Sequence, residues 1–389
     1  MMPPATTTNQ KQRLLATILA LCGTFNIATL AWLLWQHPFF NQDFLGFWSY
    51  PRFSPVDAIY NPGAMMRFQQ ALYPGFRSFF PFSYPPDMLQ ALSWMRHLGF
   101  NGARDLWLLA GLAALTAGAF ALFRGQKPGL AIAALLASPA ALFTLATGQS
   151  AFFFGGLLLG GLACLPRRPL FAGLCFGLLT LKPQLGLLLP FLLLALGAWR
   201  AIIMACLTTA ALVALSCAIL PPDLWLKWLT ALPVIQYDHF AGHTNLTIMI
   251  SPAATLLRFG VPLSWAMGCQ LAITLLVAGL VFRAARNAPY PMAVAILLTG
   301  TLLAQPHAYT YDSITVPAVL MLWLLPHAAR WQLGLAAALY LSPLMLFSPL
   351  AGGFVYAPLL ALLFAVLCCA PHPENYILTP APRTPNITS

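Results

Sequence analysis

Continuous apolar runs of roughly 15–22 residues recur along this chain, the length a helix needs to cross a bilayer. The first, Leu14–Trp35, contains no charged residue. Inside hydrocarbon every backbone N–H and C=O must be satisfied by the protein itself, so only helices and closed barrels can span. A barrel would be built from short segments alternating apolar and polar residues, whereas these runs are unbroken. Charged residues fill 7% of the 389 positions, against about 25% in an ordinary soluble domain. The fold class read from the sequence is an all-α polytopic membrane protein.

Charge placement supplies an orientation. Lys11 and Arg13 precede the first run, which is too long for a signal-peptide core and has no small-x-small cleavage site, so it reads as an uncleaved anchor after a cytoplasmic segment 1–13. Further spans are expected near 104–123, 129–147, 149–165, 169–182, 184–199, 201–220, 265–283, 288–304, 312–326, 331–347 and 352–369, about twelve in all. With the N-terminus inside, Arg124, Lys127, Arg167, Arg168, Arg200, Arg283, Arg286 and Arg330 fall at cytoplasmic ends, as the positive-inside rule asks. Asp43, Asp57, Asp87, Asp105, Asp223, Asp238 and Asp312 fall on the other side, in or beside a first outer loop (36–103), a second (221–264) and a third. The transmembrane domain therefore covers 14–369, and a Pro/Thr/Asn-rich tail, 370–389, is expected to be disordered.

This pattern excludes several functions. The net charge of +11 comes from basic residues scattered singly in loops, a topology signal and not a nucleic-acid surface. No P-loop and no Gly-x-Gly-x-x-Gly opens a helix after a strand. The eight cysteines lie almost entirely within apolar runs and lack metal-ligand spacing, which leaves no expected metal, cofactor or disulfide framework.

The chemistry concentrates in the polar stretch His37–Pro86, rich in Phe and Tyr, and in the other outer segments. A carboxylate beside a membrane-buried groove is expensive to place, and Asp43 is positioned to act as general base toward an acceptor hydroxyl. The competing reading is a solvated loop acid or helix cap. Tyr84-Pro85-Pro86-Asp87 reads as a helix start, with Pro in the first turn, followed by an apolar segment to Leu98 too short to span and expected to lie along the membrane as an interfacial helix. Gly148-Gln149-Ser150 is either a tight interhelical turn or a sugar contact through Gln149. Lys182-Pro183-Gln184 places a lysine between two short apolar runs, where it either snorkels or meets a phosphate. Arg52, Arg67 and Arg77 are further cations for a phosphate. His239, His243 and Asn245 lie in the second outer loop, and Gln305, His307, Tyr309, Tyr311 and Asp312 in the third; one histidine of these could contact phosphate or sugar.

The order of these pieces resembles the family 87 glycosyltransferases of the membrane-embedded GT-C class. Four elements carry the resemblance: Asp43 followed by Phe44 and Trp48, the Tyr84-Pro85-Pro86 turn leading to Leu89–Leu98, Gly148-Gln149 opening a span, and Lys182-Pro183 closing one. The chain departs from the family pattern at Ala151, where Asn is common. The resemblance implies a GT-C-like bundle whose first outer loop holds a catalytic aspartate, here Asp43. It implies transfer of a sugar, often mannose, from a polyprenyl-phosphate-linked donor to a glycolipid or glycan acceptor. The reaction would invert the anomeric centre without a divalent metal, on the outer face of a bacterial inner membrane. Lys182 and His307 would then meet the phosphate, and Tyr84, Gln149 and Gln184 would shape the sugar site, with Arg67 and His243 as further substrate contacts. Two rivals remain: a transporter or flippase of a lipid-linked sugar, expected to carry ionisable groups near mid-span, and a non-catalytic assembly factor, expected to tolerate loss of Asp43.

Overall fold

The computed structural model describes residues 5–36, 42–74, 80–240, 246–327, 330–342 and 355–369. Among them the chain is helical throughout, and β-pairing is confined to one antiparallel bridge between Met249 and Tyr309. The helices are α1 (Ala5–Gln36), α2 (Gln42–Ser49), α3 (Pro62–Leu72), α4 (Pro86–Ala91), α5 (Phe100–Leu122), α6 (Pro128–Leu136), α7 (Pro139–Thr147), α8 (Ala151–Cys164), α9 (Pro169–Leu178), α10 (Leu189–Ala195), α11 (Trp199–Ile219), α12 (Leu224–Phe240), α13 (Pro252–Arg258), α14 (Leu263–Asn287), α15 (Tyr290–Ala304), α16 (Val316–His327), α17 (Arg330–Leu341) and α18 (Tyr356–Cys369).

Proline sets many of the starts, because its missing N–H is one the first turn leaves unpaired anyway. Asn61, Ser138 and Ser251 each precede such a proline, and their side chains accept the N–H of Ala64, Ala141 and Ala254 at 3.0–3.2 Å. The same chemistry breaks a run that reads as one span: residues 129–147 form α6 and α7, bent by 55° where Ser138 caps the new helix.

Residues 17–36 of α1, together with α5, α11 and α14, are apolar for 20–25 residues, long enough to cross a hydrocarbon core of about 30 Å. The bent α6–α7 pair makes a fifth crossing if taken as one span. The other apolar segments are shorter than the sequence suggests, 10–17 residues each. Much of α11 faces outward; Leu207 is 60% exposed, a surface suited to lipid and not to water. In contrast, α15 is buried from Pro291 to Ala304 and packs against α14, α16 and α18, so protein replaces lipid around it.

Small residues bring the inner helices together, as in membrane bundles lacking a hydrophobic drive between helices. At the α5–α8 crossing a Cβ on Gly118 would stand 2.4 Å from the Gly156 carbonyl oxygen, and one on Gly156 would stand 2.4 Å from the Ala114 carbonyl carbon. α9 and α11 meet equally closely at Gly173 and Ala201.

The first polar segment folds onto one end of this bundle. Residues 86–98 do not form a single helix: α4 ends at Ala91 and a 3₁₀ stretch, Ser93–His97, follows. Met88, Leu89, Leu92 and Met95 are buried in protein, which holds this segment by its apolar face. Arg52 is not free for a phosphate. Its guanidinium stacks 3.7 Å over Trp48 and donates to the carbonyls of Trp48, Met95 and Leu98 at 2.6–2.8 Å, while Arg96 donates back to the Pro51 carbonyl. The region 221–264 is likewise more ordered than a loop, containing α12 and α13. α12 leans on the first polar segment through Trp228 Nε1, 3.2 Å from the Ser83 carbonyl, and Lys227, 3.6 Å from Asp57.

Candidate active site

Asp43 occupies the first turn of α2, a helix held by its aromatic face. Phe44 and Phe47 are buried, and their rings lie 5.4 Å from Phe100 and Trp107 of α5. Opposite, α7 ends at Gly148, whose φ of +75° is a conformation glycine adopts without strain. Trp107 Nε1 donates to the Gly148 carbonyl at 3.2 Å and fixes the turn. Gln149 is thereby aimed back at α2, and its Nε2 donates to Asp43 Oδ2 at 2.8 Å. Burial raises the Asp43 carboxyl from the ordinary 3.8 to about 6, against the opposing pull of the Gln149 bond. A carboxylate balanced near neutrality is suited to accept a proton.

Tyr84 forms the next wall. The Tyr60 hydroxyl holds the Tyr84 carbonyl at 3.0 Å, and Phe47 lies 5.6 Å from its ring. Its phenol is raised, first by burial and then by the charge of Asp312, with Asp43 adding to the effect. Tyr84 therefore stands between two carboxylates contributed by opposite ends of the sequence.

The second carboxylate belongs to a buried ion pair. Lys182 Nζ lies 2.6 Å from Asp312 Oδ1, with side-chain exposures of 3% and 2%. Asp312 Oδ2 accepts the Tyr309 N–H at 3.0 Å. The Lys182 ammonium also sits 5.3 Å from the Tyr311 ring, which stacks on Tyr309 at 5.4 Å and 19°. Tyr311 in turn lies within Coulombic reach of Tyr84 and Asp43. Asp43, Gln149, Tyr84, Lys182 and the segment 309–312 thus form one continuous cluster.

The profile of glycosyltransferase family 87 matches residues 82–306, more than half of the sequence. The chain belongs to this family. No match was found among curated proteins or among solved structures. Of the cluster, Tyr84, Gln149 and Lys182 fall inside the segment that matches family 87, whereas Asp43 and Asp312 lie outside it.

The remaining candidates are distributed around this family 87 core. Gln184 is half-buried in the 3₁₀ turn Pro183–Gly186, two residues from Lys182. His307 is half-buried between the end of α15 and Tyr309. Arg67 is exposed on α3, with its guanidinium over the first turn of its own helix near Gly63, and no described contact joins it to Asp43. His243 and Arg77 lie outside the described residues. Among the described residues no group of three His, Cys, Asp or Glu side chains could hold a metal ion. Asp87 is buried close enough to Tyr60 for its charge to act on that phenol, and its own carboxyl is raised to about 6 by burial. Sequence reasoning did not find the role of Asp312 as the partner of Lys182. The signal was a buried cation with no acid near it in sequence, which calls for a distant one.

Proposed function

We propose that this family 87 protein is a GT-C-type glycosyltransferase whose membrane domain covers 14–369, and that it moves a hexose such as mannose from a polyprenyl-phosphate donor to a glycolipid or glycan acceptor. The working face would be the periplasmic side of a bacterial inner membrane. Asp43 accepts the proton of the acceptor hydroxyl as that oxygen attacks the anomeric carbon. The bond from this carbon to the donor phosphate oxygen breaks, its electrons leave with the phosphate, and a single displacement inverts the centre. One carboxylate suffices for this, whereas a retaining route would want a second one about 5 Å away.

The observation that carries the reading is the Gln149–Asp43 bond, which aims a half-buried carboxyl raised to about 6 into an aromatic-walled site. Tyr84, Gln149 and Gln184 contact the sugar in this reading. Lys182 and His307 supply positive charge for the departing phosphate, a task one monophosphate does not require a divalent ion to fulfil. Arg67 and His243 are further substrate contacts in this reading.

The test is label transfer in reconstituted vesicles, using radiolabelled polyprenyl-phosphate mannose with a cell lipid and glycan extract as acceptor. Wild-type transfer that persists in EDTA and collapses in Asp43→Asn is the expected result. Equal transfer by both proteins would remove Asp43 from the mechanism. Label crossing the bilayer without transfer would make the protein a flippase.

A further inference from the structure

Burying Lys182 and Asp312 costs desolvation that their attraction only partly offsets, and apolar residues of similar size often serve stability as well or better. Packing alone therefore gives no reason for this pair. The chain also interrupts a helix to place it: Lys182 has φ −138° and ψ 73°, between the 3₁₀ stretches Leu179–Leu181 and Pro183–Gly186. Asp312 is gripped on both oxygens, by Lys182 Nζ and by the Tyr309 N–H. The bond joins residues 130 positions apart, so it ties the 182 turn to the segment that carries His307, Tyr309 and Tyr311.

We propose that Asp312 is a positioning residue for the transfer reaction, acting on the donor only through Lys182. The inference rests on the glycosyltransferase reading and extends it to a residue beyond the segment that matches the family. An ammonium has three N–H groups. Asp312 occupies one and thereby fixes the direction of the other two, which serve the phosphate. Without Asp312 the ammonium would be a lone buried charge with no fixed direction, and the tyrosine pair would lose its tie to the Lys182 turn.

The experiment measures initial transfer rates across a range of polyprenyl-phosphate mannose concentrations, with thermal unfolding in detergent for every variant. Lys182→Met and Asp312→Asn are each expected to lower kcat/KM about a hundredfold, the scale of losing one charge-stabilising donor. The double variant Lys182→Met/Asp312→Asn should be no worse than Lys182→Met, because residues acting as a unit do not add. Asp312→Glu should recover part of the loss. Multiplied losses, near ten-thousandfold, or Asp312→Asn at the wild-type rate would overturn the proposal. Should Asp312→Asn fail to fold, Lys182→Met/Asp312→Leu leaves no lone charge and decides the matter: a residual rate equal to that of Lys182→Met supports the proposal, while a further large loss, or wild-type transfer, overturns it. Absence of any transfer by the wild-type protein would instead remove the glycosyltransferase reading itself.

Discussion

Gln149 Nε2 stands 2.8 Å from Asp43 Oδ2, a bond across 106 positions that ties the first turn of α2 to the turn between α7 and α8. It does two things at once. It orients the carboxylate, and it lowers a proton affinity that burial has raised.

The pH dependence of transfer follows from that balance. The base form of Asp43 is present above about pH 6 and is lost as the pH falls through that value. kcat/KM should therefore fall on the acid side with a midpoint near 6. Gln149→Met removes the donor that favours the ionised form, so the midpoint should move to higher pH and transfer at pH 7 should drop several-fold. A rate–pH profile of both proteins checks this, and an unmoved midpoint would break the link.

Asp87 offers a stability test of opposite character. Its carboxyl is 2% exposed and raised to about 6, so the folded state binds its proton more tightly than the unfolded chain does. The cost of burying the charge is absent below about pH 4, grows as the pH rises to about 6, and is constant above. Asp87→Asn should accordingly stabilise the protein by up to about 3 kcal/mol at pH 7.5 and by almost nothing at pH 4. Thermal unfolding in detergent at the two pH values measures the difference.

Arg52 makes the case for geometry over charge. Its guanidinium serves four carbonyls, those of Trp48, Met95, Arg96 and Leu98, and a tryptophan face, a set that the point charge of lysine does not match. Arg52→Lys should behave like Arg52→Ala and cost about 1–3 kcal/mol, because the Met95 and Leu98 carbonyls lose a charged donor and keep only the Leu98 N–H and Trp48 Nε1. Amide exchange in residues 93–98 should rise in both variants, and protection retained by Arg52→Lys would contradict the assignment.

How much of this was legible in the sequence depends on the range of the interaction. Unbroken apolar runs and scattered basic residues fixed the class, since the bilayer imposes its length on every span regardless of packing. Asp43, Tyr84, Gln149 and Lys182 were readable as polar residues placed at a cost. Their pairings were not, because Gln149 to Asp43 and Lys182 to Asp312 are contacts over more than 100 positions. Arg52 was misread as a phosphate cation for the same reason: its carbonyl partners at Met95 and Leu98 carry no side-chain signature. The bend at Ser138 was missed because the surrounding run is apolar on both sides, and the Ser-Pro cap that turns the helix is only two residues long.

The helix crossing beneath the site supplies the last test. Gly156 and Gly160 lie on the same face of α8, one turn apart, and both meet α5. An added Cβ at Gly156 would stand 2.4–2.6 Å from Ala114 and Leu115 backbone atoms, which cannot swing aside as a side chain can. At Gly160 the nearest atom is the Gly118 Cα at 3.7 Å, an ordinary contact. Helix propensity favours alanine over glycine by up to about 1 kcal/mol at both positions, so it cancels in the comparison. Gly160→Ala should leave unfolding unchanged or raise its midpoint. Gly156→Ala should push α5 from α8 and cost about 1–3 kcal/mol of overpacking. Because Trp107 of α5 holds the Gly148 carbonyl, the same displacement should loosen the Gln149–Asp43 bond and reduce transfer at permissive temperature. Thermal unfolding and label transfer on the two variants side by side decide it, and equal behaviour of the two would show that the crossing is slacker than its glycines indicate.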